Sequence, residues 1–212
     1  MSVLNKVLVL TLGFDEKFAI RSLMRHSNDL SKTIIIMAEP VEERAQRALV
    51  TVKDFIERFI GSIEYEVITV DPSTPYDTIS RLKKKLRENL ALSYVISVSG
   101  GMRAMIVELV VAASLAKIPG ELEIELENFK GIIKLPLKLL YMQPLSSEEY
   151  KVLKALIDMK IATAKDLLDS LHMPRSSFYR YLKELVTKDL IKEIRKGKTA
   201  FYEPTELAKV II

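Results

Sequence analysis

The sequence predicts an α/β fold, a mainly parallel sheet with helices on both faces, followed by a smaller, basic, helical unit ending in a β-hairpin. Three observations carry this. Short apolar runs at Lys6–Leu12, Thr33–Ala38, Tyr65–Val70 and Tyr94–Val98 alternate with helical patterns and short loops, the signature of parallel strands with crossover helices. Pro144 follows a short stretch without helical periodicity, Lys138–Gln143, and marks a boundary there, giving domains 1–143 and 144–212. Positive charge is concentrated beyond it. From His172 to Ala200 there are eight Lys or Arg against three Asp or Glu, in a chain whose formal net charge is only +4.

Lys6–Leu12 (KVLVLTL) reads as a buried strand ended by Gly13-Phe14-Asp15, and Asp15 is placed to cap a helix over Glu16–His26. Pro40 separates the second strand from a long amphipathic helix, Val41–Ile60, which Gly61 stops. Asp71-Pro72 closes the third strand. Tyr76, Ile79, Leu82, Leu86 and Leu90 then recur at helical spacing over Pro75–Asn89. The fourth strand runs into Ser97-Val98-Ser99-Gly100-Gly101-Met102-Arg103, and a helix over Met102–Lys117 leaves it, apolar on nearly every face. One buried stripe cannot absorb that much apolar surface, so either neighbours within the domain cover the helix or part of it faces a second copy of the chain, and a homodimer is the expectation. Glu121–Glu127 alternates Leu and Ile with Glu and reads as a half-exposed strand with its glutamates outward; Asn128–Gly131 turns it into Ile132–Leu135.

In such sheets ligands collect beyond the carboxyl ends of the strands, where strand order reverses. If strands one and four are neighbours, that crevice lies between Thr11–Phe14 and Ser97–Arg103. Paired glycines permit a sharp turn and close main-chain approach. The N-terminus of the following helix presents N–H groups and the positive dipole end to an anion, phosphate above all. An ordinary strand-to-helix turn would need the same glycines.

The three-glycine dinucleotide fingerprint and the phosphate-loop pattern ending in Gly-Lys-Ser/Thr are both missing, which argues against a nicotinamide dehydrogenase or an NTPase. The chain has no Cys and two His, His26 and His172, so the sequence calls for no metal and no cofactor. It shows neither a secretory leader pattern nor an apolar run near the roughly 20 residues of a membrane span, so a cytoplasmic protein without membrane contact is expected. The balance of abundant Ile, Lys and Glu against two Gln resembles hyperthermophile usage, as in an archaeal thermophile.

In the second unit Ser146 with Glu149, and Thr163 with Asp166, are capping pairs for two helices. Pro174 starts a third. At about 100° per residue, Phe178, Tyr181, Leu182 and Leu185 share one side, and Ser176, Tyr179, Arg180, Lys183 and Thr187 the other. An exposed face of hydroxyls, ammonium and guanidinium groups suits the major groove of duplex DNA. The DNA-contacting set is Arg175, Ser176, Ser177, Tyr179, Arg180 and Lys183, with Arg180 the candidate for a bidentate guanine contact. Leu190–Arg195 and Thr199–Glu203 form a hairpin whose basic tip, Arg195, Lys196 and Lys198, reaches phosphates. Such a hairpin after a helix-turn-helix is a wing. Thr205–Ile212 reads as a final helix with an apolar end.

Together the halves resemble the CRISPR-associated transcription regulators that join a CARF domain, which is Rossmann-like, to a winged helix-turn-helix. Thr11-Leu12-Gly13-Phe14 is similar to that family's first loop, Ser99-Gly100-Gly101-Met102-Arg103 to its second, and Arg44, expected in the turn after strand two, to an arginine of its equivalent loop. The resemblance implies a homodimer binding a cyclic oligoadenylate second messenger, with cyclic tetra-adenylate the first expectation, in the dimer interface. It implies a ligand set of Thr11, Gly13, Phe14, Arg44, Ser97, Ser99, Gly100, Gly101, Met102 and Arg103, with Ser99 and Arg103 holding phosphates or riboses. It implies a role in antiviral defence through transcription rather than catalysis. Ser97 stands where many CARF domains carry an acidic residue. Two alternatives remain open at this point: a ring nuclease that cleaves the cyclic ligand, and a DNA-binding protein whose first domain only dimerises.

Overall fold

The computed structural model describes residues 6–61, 63–89 and 92–212. The chain divides into two compact units, Met1–Met142 and Gln143–Ile212. The first contains β1 (Lys6–Leu12), α1 (Lys17–His26), β2 (Leu30–Ala38), α2 (Glu43–Phe55), β3 (Glu64–Val70), α3 (Pro75–Leu86), β4 (Ser93–Ser97), α4 (Arg103–Ala116), β5 (Gly120–Glu125) and β6 (Ile132–Pro136). Strand order is β3-β2-β1-β4-β5-β6. The neighbours from β3 to β5 are parallel, and β6 returns antiparallel on β5. Order reverses between β1 and β4, as the expected crevice requires.

Both faces of the sheet are covered. Leu8, Leu10, Leu12, Ile35 and Met37 pack with α1 and α2 through Ala19, Leu23, Ala48, Leu49 and Val52. Val7, Val9, Ile34, Ile36 and Ile96 pack on the opposite side with Leu82, Leu86, Met105, Leu109 and Ala112 of α3 and α4. The central strands are thus apolar on both faces, which is why they read as continuous apolar runs. The long helix of the sequence ends in a π turn, Ile56–Ile60, and the third in a 3₁₀ turn, Arg87–Asn89. Leu90, expected on that helix, lies outside the described residues. Leu137 is fully buried and Ser114 Oγ donates to the Leu140 carbonyl at 2.7 Å, so the segment after β6 closes the first core.

One expectation fails in the sheet. Alternation in β5 pointed its glutamates to solvent, yet Glu123 and Glu125 are buried, at 0% and 3% exposure. The cause is α1, which lays Arg21, Arg25 and His26 over that face. Arg25 Nη1 donates to Glu125 at 2.7 Å, Arg25 Nε and His26 Nε2 lie 3.2 and 3.0 Å from Glu123 oxygens, and Arg21 pairs with Glu125. Burial alone would raise the Glu123 carboxyl. The hydrogen bonds from His26 and Arg25 and the Arg25 charge outweigh it and hold the group down at about 2.

The second unit comprises α5 (Ser147–Met159), β7 (Ala162–Thr163), α6 (Ala164–Leu171), α7 (Arg175–Thr187), β8 (Ile191–Lys196), β9 (Thr199–Pro204) and α8 (Ala208–Ile211). Both capping boxes form: Ser146 with Glu149 and Thr163 with Asp166. Val152, Leu153, Leu156, Leu167, Phe178, Leu182, Leu185 and Leu190 are buried. Each such side chain contributes about 1.5–3 kcal/mol. β8 and β9 pair antiparallel, and the two-residue β7, which the sequence did not reveal, adds to β9.

Candidate ligand cleft and DNA-facing helix

The two loops at the reversal point touch through their main chains. A Cβ on Gly13 would lie 3.0 Å from the Gly101 Cα, and one on Gly101 would lie 2.7 Å from Met105 Cε and 3.1 Å from Thr11 Cβ. Gly101 also has φ +94°, a conformation costly for any side chain. These glycines therefore close the floor by backbone contact. Thr11 fastens it from below: its hydroxyl donates to the Gly100 carbonyl, and the residue is 3% exposed. Ser97 is equally buried. Thr11 and Ser97 thus sit beneath the floor and shape it. Ser99 Oγ accepts the Glu125 N–H at 2.7 Å, leaving its own proton free to donate.

Above the floor is a cleft of about 320 Å³ lined by Leu12, Gly13, Phe14, Phe18, Pro40 and Ala45, with Gly100, Gly101 and Met102 opposite. Asp15 and Glu42 also line it, and carboxylates there suit ribose hydroxyls or exocyclic amines. A wider groove of about 910 Å³ lies beside it, sharing Pro40 and Met102 and continuing to Glu39, Asp71, Ser73 and Ala104. Arg44 lies in the first turn of α2, not in the turn before it, and its Cζ sits 5.2 Å from the centre of the half-exposed Phe14 ring. This rim offers a flat apolar surface and a cation together.

α4 opens at Met102 with no side-chain cap and no acidic residue in its first turn. Its first N–H groups have no partner within the helix, and Arg103 is exposed beside them. Farther along, Val107, Val111 and Leu115 are 62%, 39% and 52% exposed. Glu108, buried on the same helix, has its carboxyl raised by burial and secondarily by Asp71.

The sequence brought the two loops together correctly but missed Phe18, Pro40 and Ala45 as walls.

In the second unit Ser176, Tyr179, Arg180, Lys183 and Thr187 are exposed on α7, while Phe178, Leu182 and Leu185 face inward and Tyr181 is half-buried. Arg175 is exposed and Ser177 half-buried. Pro174 is the cap residue of α7 and not its first helical position. Arg180 lies over the Tyr181 ring at 4.8 Å and donates to its hydroxyl at 3.0 Å, which restrains the guanidinium at the surface. The two-residue turn at Gly197 and Lys198 carries Lys196 and Lys198 exposed at the hairpin tip. Arg195 is also exposed but pairs with Glu193 at 2.9 Å.

Residues 6–136 match the model of the Csa3 CRISPR-associated Rossmann-like domain. The chain belongs to this Csa3 family. Residues 143–208 of this Csa3-type chain match the model of the sugar-specific transcriptional regulator TrmB, so a winged-helix regulator module follows the Csa3 domain. No curated protein matches the chain. Among solved structures it is similar to Enterococcus italicus Csm6 bound to cyclic hexa-2'-fluoro-hexa-dAMP, at 13% identity and TM-score 0.49, over 89% of this chain and 55% of that one. It is also similar to Can2 from Sulfobacillus thermosulfidooxidans in complex with cyclic tetra-adenylate, at 13% identity and TM-score 0.44, over 98% and 61%. The adhesin competence repressor AdcR of Streptococcus pyogenes aligns over 35% of this chain and 57% of its own, at 23% identity and TM-score 0.28. The chain therefore spans between half and two thirds of these proteins. No helix among the described residues is long and apolar enough to cross a membrane.

Proposed function

We propose that this Csa3-type regulator is a homodimer that binds a cyclic oligoadenylate, cyclic tetra-adenylate first, at its Rossmann-like reversal point and duplex DNA through its winged helix. The observation that carries the ligand reading is the uncapped N-terminus of α4, with Arg103 exposed beside it, opening over a main-chain floor and facing an aromatic rim. Amide donors and a guanidinium suit phosphates, and Phe14 with Arg44 offers a stacking surface for a base. Ser99, Gly100, Gly101 and Met102 present the second loop; Gly13, Phe14 and Arg44 present the first wall; Thr11 and Ser97 act from below. The dimer reading rests on the apolar outer stripe Val107, Val111 and Leu115, which a second copy would cover.

The basic, exposed face of α7 supports major-groove reading by Arg180, with Arg175, Ser176, Ser177, Tyr179 and Lys183 around it and Arg195, Lys196 and Lys198 on phosphates. The protein acts as a regulator, not as a nuclease. A ligand alters operator affinity only by binding two states of the dimer unequally.

Calorimetric titration with cyclic di-, tri-, tetra- and hexa-adenylate tests the reading. Tight binding of one ring by the unaltered protein, weakened at least about ten-fold, or 1.4 kcal/mol, by Arg103→Ala, is the expected result. Binding of none of them overturns the ligand assignment, and appearance of a linear product overturns the non-catalytic one.

A further inference from the structure

We propose that Arg21, which lies outside the cleft, is a positioning residue that fixes both of its walls at once. The claim rests on the ligand reading above. On one side Arg21 Nε pairs with Glu125, a carboxylate 1% exposed. The Glu125 main-chain N–H in turn donates to Ser99 Oγ at 2.7 Å, and Val98 N–H donates to the Glu123 carbonyl at 3.1 Å. The end of β5 thus carries the loop that leads into α4. On the other side the Arg21 guanidinium lies 5.3 Å over the Phe129 ring, and Phe129 stacks on Phe18 at 5.2 Å and 27°. Phe18 is a wall of the cleft.

Phe129 sits at the tip of the β5–β6 hairpin with φ +58°. A bulky residue is uncommon in that region, and it stays there only where its surroundings over-determine it. The turn's own hydrogen bonds, Phe129 N–H to the Leu126 carbonyl at 2.8 Å and Leu126 N–H to the Gly131 carbonyl at 2.9 Å, hold the backbone there, and the Phe18 ring and the Arg21 guanidinium add to them. Arg25 reaches both Glu123 and Glu125, so the buried charges stay paired when Arg21 is removed. What Arg21 supplies is one side chain that holds both the buried Glu125 and the Phe129 ring, adding to the Phe18 stack on the hairpin tip and the Arg25 pair with Glu125. Its side chain is 46% exposed, so its loss opens no buried cavity.

The test uses the full chain, with cyclic tetra-adenylate as probe, in Arg21→Ala, Arg21→Lys and Phe129→Leu. Arg21→Ala should weaken binding about ten-fold with little change in thermal midpoint. It should also speed amide hydrogen exchange of the ligand-free protein at Ser99–Arg103 and Asn128–Gly131 while leaving β1 and β2 unchanged. Arg21→Lys, which keeps the charge but not the flat stack, should recover part of the loss. The Arg21→Ala, Phe129→Leu double variant should be little worse than either single one. Binding within two-fold of the unaltered protein overturns the proposal. So does a loss of binding accompanied by faster exchange throughout the sheet, which would mark Arg21 as merely structural. If the unaltered protein does not bind the probe, the tetra-adenylate reading falls, and the exchange at Ser99–Arg103 alone decides whether Arg21 orders that loop.

Discussion

Glu123→Gln removes one negative charge from the most buried ionic cluster of the sheet while keeping shape and volume. The carboxylate is fully buried and held near 2, against an ordinary 4.5. At roughly 1.36 kcal/mol per pH unit, the depression corresponds to about 3 kcal/mol at neutral pH. That lies at the low end of the cost of breaking a buried ion pair, as it should, because Glu125 keeps a hold on Arg25. The folded-state value is depressed, so the contribution is complete above about 4.5 and is lost as pH falls toward 2; at pH 3 about 2 kcal/mol of it is gone. Urea unfolding of the full chain, followed by circular dichroism from pH 7 to pH 3, measures it. Glu123→Gln should be about 3 kcal/mol less stable at pH 7, with the gap narrowing steadily below pH 4.5. A gap under about 1 kcal/mol at neutral pH, or one indifferent to pH, would refute the assignment of Glu123 as the charged centre of the cluster.

Other perturbations address the cleft, the dimer and the DNA face. Gly101→Ala puts a Cβ 2.7 Å from Met105 Cε at φ +94°, so it should cost about 1–3 kcal/mol, read as a lowered thermal midpoint, and weaken cyclic tetra-adenylate binding as well. Val111→Glu places a charge in the exposed apolar stripe of α4; sedimentation should show monomer where the unaltered chain shows dimer, with the fold retained. Lys196→Ala and Lys198→Ala should each lower the salt slope of DNA affinity by about one without changing base preference. Arg180→Ala should relax preference at one base pair, costing about 1–3 kcal/mol there, as measured by binding to a set of operator variants.

Much of this was legible locally. The strands at Lys6–Leu12 and Thr33–Ala38 declare themselves because helices cover both faces, so their centres, Val7–Leu10 and Ile34–Met37, are unbroken apolar runs. Ser146 with Glu149 and Thr163 with Asp166 name their helix starts because a capping box is complete within four residues. The two faces of α7 follow from 3.6-residue periodicity alone. What stayed hidden depends on residues far apart in the chain. Alternation in β5 correctly located a strand but assigned its glutamates to water, because their partners Arg21, Arg25 and His26 lie about a hundred positions earlier. Thr11 and Ser97 stood in the ligand set that the family resemblance implies, yet each is 3% exposed. Only the contact between the loops shows that they are roofed over. The cleft walls Phe18 and Ala45 look like ordinary core positions of amphipathic helices, and in part they are.

The abutment of Gly13 on Gly101 leaves the crevice with a bottom that cannot be deepened or dented by side-chain exchange. Any retuning of what it accepts, in nature or at the bench, has to work from the margins, at Phe14, Arg44, Met102 and the hairpin that presses on Phe18. Variation among chains of this build should accordingly crowd around the mouth, and a swapped margin should transplant preference without disturbing the sheet beneath.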